Sequence, residues 1–276
     1  MVRIGYYQFA PVFGDKTRNL EHLLDALAGV EADIVVLPEL PFTGYLFRDR
    51  VELEEMAEDP AESAIVESLT GLCKARDFYC VTGFAERAPG ACFNSALLLG
   101  PEGLVHTYRK LHLFCEEKTI FEAGDRPLAV HEIAGIRMGM MICFDWALPE
   151  VARTLALKGA DVICHPSNLV LDYCQQTMKA RCIENSIFAV TANRYGTDER
   201  THGTVTFTGR SQIVDPRGNV LHRSTRGEDD LVIVDIDVNR ARDKKITPWN
   251  DLLGDRRPEF YRELCADDGH NGATQS

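Results

Sequence analysis

Cys143 lies in the stretch MMICFDWALPE (residues 140–150), where it ends an apolar, strand-like run and precedes a segment that turns helical near Pro149. A thiol at a tight strand-to-helix turn projects away from the backbone while neighbouring amides point into the same space, the geometry of a nucleophile elbow. A helix N-terminus close by favours thiolate over thiol, whose ordinary pKa is about 8.5. The competing role is a buried thiol acting as a small hydrophobe, which suits most of the other eight cysteines. Glu39 directly follows the run ADIVVLP. A carboxylate there is costly unless it is solvated, paired or used, and capping of backbone amides at the strand exit is its plainer role. Lys110 ends VHTYRK beside Arg109, and one of these two cations is expected to be ordinarily solvated. Glu116 and Glu117, in FCEEKTIFEAGD, read as a wet loop. A cysteine, a carboxylate and an ammonium at strand ends facing one seam could act together. The carboxylate would take the thiol proton and the ammonium would stabilise a developing oxyanion.

Such a constellation needs elements that end at a common seam. RIGYYQFA is strand-like, and TRNLEHLLDALAG follows with Leu20, Leu23, Leu24 and Leu27 at helical spacing and Gly29 as a stop. ADIVVLPEL reads as a buried strand. AESAIVESLTGLCKARD places Ile65, Leu69, Leu72 and Cys73 on one helical face, and GPEG turns a hairpin between NSALLL and LVHTYRK. The second half echoes this order. IRMGMMICF matches VRIGYYQF, GADVICHPSNL matches EADIVVLPELP, and SQIVDPRGNVLHRS matches SALLLGPEGLVHTYRK. Three matched segments in one order imply a duplicated β-α-β-α-β-β unit. Two such units bury their bare sheet faces against each other, giving an α/β chain with a four-layer α-β-β-α sandwich and internal pseudo-two-fold duplication. The facing loops at the strand ends then frame a shared crevice.

These stretches resemble the nitrilase superfamily of carbon–nitrogen hydrolases over nearly the whole chain. LPELPFTGY resembles its glutamate motif, YRKLHL its lysine motif and GMMICFDWALPE its cysteine motif, with RCIENSIFAVTANRYG and FTGRSQIVDPRGNVL as downstream segments. The resemblance implies the same α-β-β-α sandwich and a Glu-Lys-Cys triad: Glu39 as general base, Lys110 for the oxyanion and Cys143 as nucleophile. Glu117 rather than Glu116 falls in the register of the second glutamate, in EKTIFEAGD. The implied reaction is cleavage of a non-peptide C–N bond through a Cys143 thioester, with no metal and no organic cofactor. Amidase action on small aliphatic amides is expected, with nitrile or N-carbamoyl amine hydrolysis as alternatives and acyl transfer to an amine left open. Tyr45, Phe144, Trp146 and Asn168 are expected to line the substrate pocket, each with core packing as its plainer role. Trp146 and Ala147 stand where relatives that grip a substrate carboxylate can carry arginine, which weighs against N-carbamoyl amino acids. A homodimer is also implied. Residues 1–255 are expected to form the hydrolase domain and residues 256–276 a strap with a polar tail. Trp249, Leu252, Phe260 and Tyr261 would anchor the mixed-charge segment 240–265.

Composition narrows the remaining classes. The 276 residues carry a net charge of -12, which repels phosphate backbones and argues against nucleic-acid partners. The N-terminal residues lack a signal-peptide pattern, and no apolar stretch approaches the roughly 20 residues that span a bilayer. The nine cysteines include no CxxC pair and no zinc-ligand spacing, so a reduced, cytoplasmic protein without a structural metal is expected. A papain-like enzyme would need His165 or His112 beside Cys143, and a non-catalytic scaffold would be expected to lack part of the triad.

Overall fold

The structure is a computed structural model that describes residues 1–266. Residues 267–276, within the expected polar tail, lie outside the described residues. One compact unit spans Met1–Asp243 and a second begins at Lys244. In chain order the first half holds β1 (Val2–Gln8), α1 (Lys16–Leu27), β2 (Ile34–Val36), α2 (Arg50–Met56), α3 (Ala64–Arg76), β3 (Tyr79–Ala88), β4 (Ala91–Gly100), β5 (Gly103–Arg109) and α4 (Glu117–Ile120). There follow β6 (Val130–Ile133), β7 (Ile136–Met140), α5 (Pro149–Leu157), β8 (Val162–Ser167), α6 (Cys174–Asn185) and β9 (Phe188–Asn193). The unit closes with β10 (Tyr195–Arg200), β11 (Gly203–Thr208), β12 (Gln212–Val214), β13 (Val220–Arg223), β14 (Asp230–Ile236) and α7 (Asn239–Arg242).

Two six-stranded sheets run β14-β1-β2-β3-β4-β5 and β6-β7-β8-β9-β12-β13. In each, successive pairs are antiparallel, parallel, parallel, antiparallel and antiparallel. The echo in the sequence is therefore an echo of topology, with β7, β8 and the β12–β13 hairpin in the places of β1, β2 and the β4–β5 hairpin. It extends to single hydrogen bonds. Asp33 accepts from the Arg3 backbone N–H at 2.7 Å, and its counterpart Asp161 accepts from that of Arg137 at 3.0 Å. The repeats differ at one edge. β6 directly precedes β7, whereas β14 reaches the first sheet from the far end of the second half, so the first sheet is not complete without the second half.

Alternation along the strands builds the layers. Ile4 and Tyr6 on β1, and Ala96 and Leu98 on β4, share one core with Met138, Met140 and Cys164 between the sheets. Their neighbours Tyr7, Leu97 and Leu99 face outward onto Leu23 and Leu27 of α1 and Ile65, Leu69 and Cys73 of α3. Helices α5 and α6 cover the other sheet through Val151, Leu155, Met178 and Cys182. Full burial of each such leucine contributes about 1.5–3 kcal/mol. Asp15 caps α1 by accepting from the Arg18 N–H at 3.1 Å, which stabilises the helix by about 1 kcal/mol. The second unit contains a short two-stranded ladder, Lys245–Thr247 with Asn250–Asp251. Trp249 and Phe260, expected as anchors, are instead 90% and 65% exposed. No helix of the described residues is long and apolar enough to cross a membrane.

The edge strands β5 and β6, one from each sheet, bring the rings of His106 and His131 to 4.3 Å between centroids. Burial, then His131 and Arg126, lower the His106 pKa to about 4, and burial lowers that of His131, whose Nε2 has no hydrogen-bond partner. Both rings are thus held neutral in the folded chain, while the unfolded chain takes up protons from about pH 6.5 downward. Stability should therefore fall as pH drops from about 6.5 towards 4. Urea unfolding across this window should show a smaller decline for His106→Asn than for the parent; coincident slopes would remove the pair from the explanation.

Candidate active site

Glu39 stands one residue beyond the Pro38 break after β2, on a turn whose next residue, Leu40, has φ +48°. The turn can lie against β3 because position 83 is glycine. A Cβ there would come within 2.5 Å of Glu39 Cα and 2.7 Å of the Pro38 carbonyl oxygen. Glu39 is fully buried, and its Oε1 accepts from Lys110 Nζ at 2.8 Å and from Asn94 Nδ2 at 2.6 Å. Its Oε2 is buried with no partner. Burial raises the Glu39 pKa, Lys110 opposes that rise and Glu117 adds to it.

Lys110 follows β5, its backbone N–H held by the Asn94 carbonyl at 2.8 Å. The ammonium donates to Glu39 Oε1 and to Glu117 Oε1, each at 2.8 Å. Burial alone would lower its pKa, but Glu117 and Glu39 outweigh burial and the net shift is upward. Arg109 is not the solvated neighbour expected from sequence. It is buried, bonded to Glu86 and Asp125, with its guanidinium 3.7 Å from the centre of the Phe93 ring. Two partners and an aromatic face replace its water. Nor is Glu117 in a wet loop: it opens α4 and is buried, while Glu116 is exposed. Glu117 Oε1 also accepts from the Tyr45 hydroxyl at 2.6 Å, and Oε2 from the Phe114 N–H at 3.1 Å.

Cys143 follows β7 at the start of a 3-10 turn, Cys143–Ala147, with φ +39°. Its turn is held from two sides. His165 is bonded through Nε2 to the Cys143 carbonyl oxygen at 2.9 Å and through Nδ1 to Thr191 Oγ1 at 3.1 Å. Burial lowers its pKa to about 4, so the ring is neutral and the carbonyl selects the Nε2–H tautomer. On the other side, fully buried Asp145 accepts from the Ile142 N–H at 2.9 Å, the Tyr108 hydroxyl at 2.7 Å and the His112 N–H at 3.2 Å, and lies 2.8 Å from His112 Nδ1. Tyr108 and His112 flank Lys110 by two residues on either side, so Asp145 fastens the cysteine turn to the lysine segment. The expectation of a favoured thiolate does not survive. Burial, and next the Glu39 charge, push the Cys143 thiol well up, against the lowering by Lys110 and by the Asn168 backbone N–H. The turn is too short to supply a helix N-terminus that would win.

The sequence model of the "Carbon-nitrogen hydrolase" family matches residues 3–246. This chain belongs to that family. The hydrolase is 40% identical to a nitrilase of Pyrococcus abyssi (strain GE5 / Orsay), with 95% of this chain and 99% of that protein aligned. It is 36% identical to an (R)-stereoselective amidase of a Pseudomonas species, over 93% and 92% of the two chains. The solved structure of a mutant of the Nesterenkonia AN1 amidase from the nitrilase superfamily superposes with a TM-score of 0.78 at 26% identity, covering 95% of this chain and 97% of that one.

In this carbon–nitrogen hydrolase the four residues expected to bind substrate have different fates. The Tyr45 hydroxyl is committed to Glu117, and its ring packs edge-on to Phe207. Phe144 and Trp146 pack edge to face, and with Phe114, Asn168 and Val170 they line a slit of about 10 Å³ at Cys143. Both amide atoms of buried Asn168 lack a protein partner. A larger cleft of about 370 Å³ shares Phe114 and Val170 with the lining of the slit, and Tyr45 and Glu117 are among its other walls. Asn94, Asp145 and His165's role on the Cys143 carbonyl went unread in the sequence. The signal present was polar side chains inside apolar runs, which must find partners when buried.

Close approach at Gly83 gives a direct check. Gly83→Ala should cost about 1–3 kcal/mol in urea unfolding, as overpacking does. Gly71→Ala, on α3 with open space around the added methyl, should be neutral or stabilise by up to about 1 kcal/mol. Equal effects at the two sites would mean that the Glu39 turn is not tightly held.

Proposed function

We propose that the protein is an amidase that hydrolyses small aliphatic amides through a thioester on Cys143 and releases ammonia. One observation carries this: a buried ammonium held by two carboxylates beside a buried thiol, with one carboxylate oxygen, Glu39 Oε2, still unpaired. Lys110 spends two of its three N–H donors on Glu39 and Glu117. The third is then available to an oxyanion, together with the Phe144 backbone N–H.

Cys143 Sγ attacks the amide carbonyl while Glu39 accepts the thiol proton. The raised thiol pKa makes this base necessary, because little free thiolate is present at rest. Lys110 and the Phe144 N–H stabilise the tetrahedral oxyanion. Glu39 returns its proton to the departing nitrogen, leaving ammonia and the thioester. Water, deprotonated by Glu39, attacks the thioester; collapse releases the acid and restores the thiol. Glu117, tied to Tyr45 and the Phe114 N–H, keeps the ammonium in place. Asn168 supplies the remaining polar contacts to substrate.

Nitrile hydrolysis is the second reading, favoured by the named nitrilase relative; the same sulfur would attack a nitrile carbon. A Cys-His mechanism is disfavoured by His165, whose Nε2 is bonded to the Cys143 carbonyl, and by His112, which is bonded to Asp145. Homodimer formation stays part of the proposal.

Ammonia release should be followed from an amide, a nitrile and an N-carbamoyl amine sharing one acyl frame. The amide should be turned over fastest, and Cys143→Ala should abolish release. Lys110→Met should lose on the order of 10²–10³ in kcat, as removal of an oxyanion donor does. Glu39→Gln should lose on the order of 10²–10⁴, the usual worth of a general base. The rate should fall on the acid side as the raised Glu39 carboxylate protonates. Release that persists in Cys143→Ala would end the mechanism, and preference for the nitrile would select the second reading.

A further inference from the structure

We propose that the outer cleft is an acyl-chain subsite, and that the substrate is a primary amide with an unbranched apolar acyl chain of medium length, on the scale of hexanamide or octanamide. This rests on the amidase reading and deepens it. The slit at Cys143 holds about 10 Å³, the room of about one water molecule, and so has no space for an acyl chain. The adjoining cleft holds about 370 Å³, within the ~300–1,000 Å³ of small-molecule sites. Phe114 and Val170 line both, so a chain leaving the slit past these two side chains enters the cleft.

The cleft walls are apolar, with Phe47, Ile120, Phe121 and Val205 among them. Of the cleft's polar walls, Glu116 and Thr204 are exposed to solvent, and the others already have protein partners. The Tyr45 hydroxyl and both Glu117 oxygens already have protein partners. Thr206, on β11, shares a hydroxyl contact of 3.0 Å with Thr197. Away from Glu116 and Thr204, a hydrocarbon chain therefore satisfies the cleft better than a charged or amide-bearing one.

The direction of the chain follows from the other end of the site. Glu39 is fully buried, lines neither cavity and keeps Oε2 unpaired. That acceptor suits an N–H of a carboxamide, and the proposed proton transfer puts the leaving nitrogen beside it. With nitrogen turned inward to Glu39, the carbonyl substituent is the part that runs outward. It also remains covalently attached through the thioester, so chain binding acts on both half-reactions.

The full-length chain should be assayed for ammonia release from acetamide, butyramide, hexanamide and octanamide. Each buried methylene should raise kcat/KM about fourfold until the cleft is filled. Val205→Trp, which fills the cleft from β11, should cut the hexanamide-to-acetamide ratio by at least about tenfold. Val205→Ala should move the optimum to longer chains. A flat series, or a Val205→Trp effect equal on short and long amides, would overturn the subsite while leaving the amidase reading intact. N-hexylacetamide outperforming hexanamide would overturn the direction of the chain. Silence on every amide, with Cys143-dependent turnover of the matching nitriles, would instead overturn the amidase reading beneath it.

Discussion

A lysine ammonium taken wholly out of water is the constraint on which this site depends. Removing such a charge from solvent costs several kcal/mol unless opposite charge and hydrogen bonds replace the water. Lys110 obtains both from Glu39 and Glu117 at 2.8 Å. Two carboxylates against one ammonium leave the cluster with a surplus negative charge. Asn94, Tyr45 and the Phe114 N–H donate to the two carboxylates and partly offset it. Burial first, and then the Glu39 charge, disfavour a further negative charge on Cys143, so the thiol is pushed up despite the nearby ammonium. On the proposed mechanism the proton leaves sulfur only as negative charge passes onto the substrate oxygen, where Lys110 can meet it.

The backbone bears a matching load. Leu40, Cys115 and Cys143 are all non-glycine residues with φ between +39° and +49°, and each lies on a segment that delivers one of these side chains. Conformations of this kind cost on the order of 1–3 kcal/mol each and persist only where the surroundings impose them. Here the surroundings are identifiable: Gly83 beneath the Glu39 turn, and Asp145 and His165 on either side of the cysteine. The duplicated scaffold supplies the strand ends, but its two halves are not used alike. Phe9 stands where the second half has Cys143, and Ser167 where the first has Glu39. Pseudo-symmetry of backbone thus yields one reactive cluster, and that cluster needs both halves.

What could be read in the sequence was what repeats or breaks a pattern. The sandwich was legible because strand alternation and the three matched segments are properties of many residues at once. Glu39 and Cys143 were legible as candidates because each ends or follows an apolar run, and Lys110 because it follows a strand. Asn94 and Asp145 were not, since a single polar residue inside a strand or turn says that it needs a partner without saying which. Asp145 reaches across 33 positions to His112, a contact only the fold creates. Tyr45 was read as a pocket wall, and its ring does line the cleft, but its hydroxyl belongs to Glu117. The sign of the Cys143 shift failed for a related reason. A local turn argued for thiolate, while burial above all, and then two carboxylates distant in sequence, raise the thiol.

The same burial bears on whether the proposed thioester ends in hydrolysis or in transfer to an amine. The nucleophile of the second step must occupy the place vacated by ammonia, next to Glu39 Oε2, and must give that oxygen a proton. A water molecule needs about one probe sphere of space, roughly 10–15 Å³, and can donate to a buried acceptor. An alkylamine would bring its substituent to the side of the fully buried Glu39, whereas water brings none. The long cleft cannot take that substituent, because on the acyl-chain assignment it stays filled until the acid departs. Burial on the Glu39 side of the sulfur therefore favours the smaller acceptor, water, without any group dedicated to excluding amines.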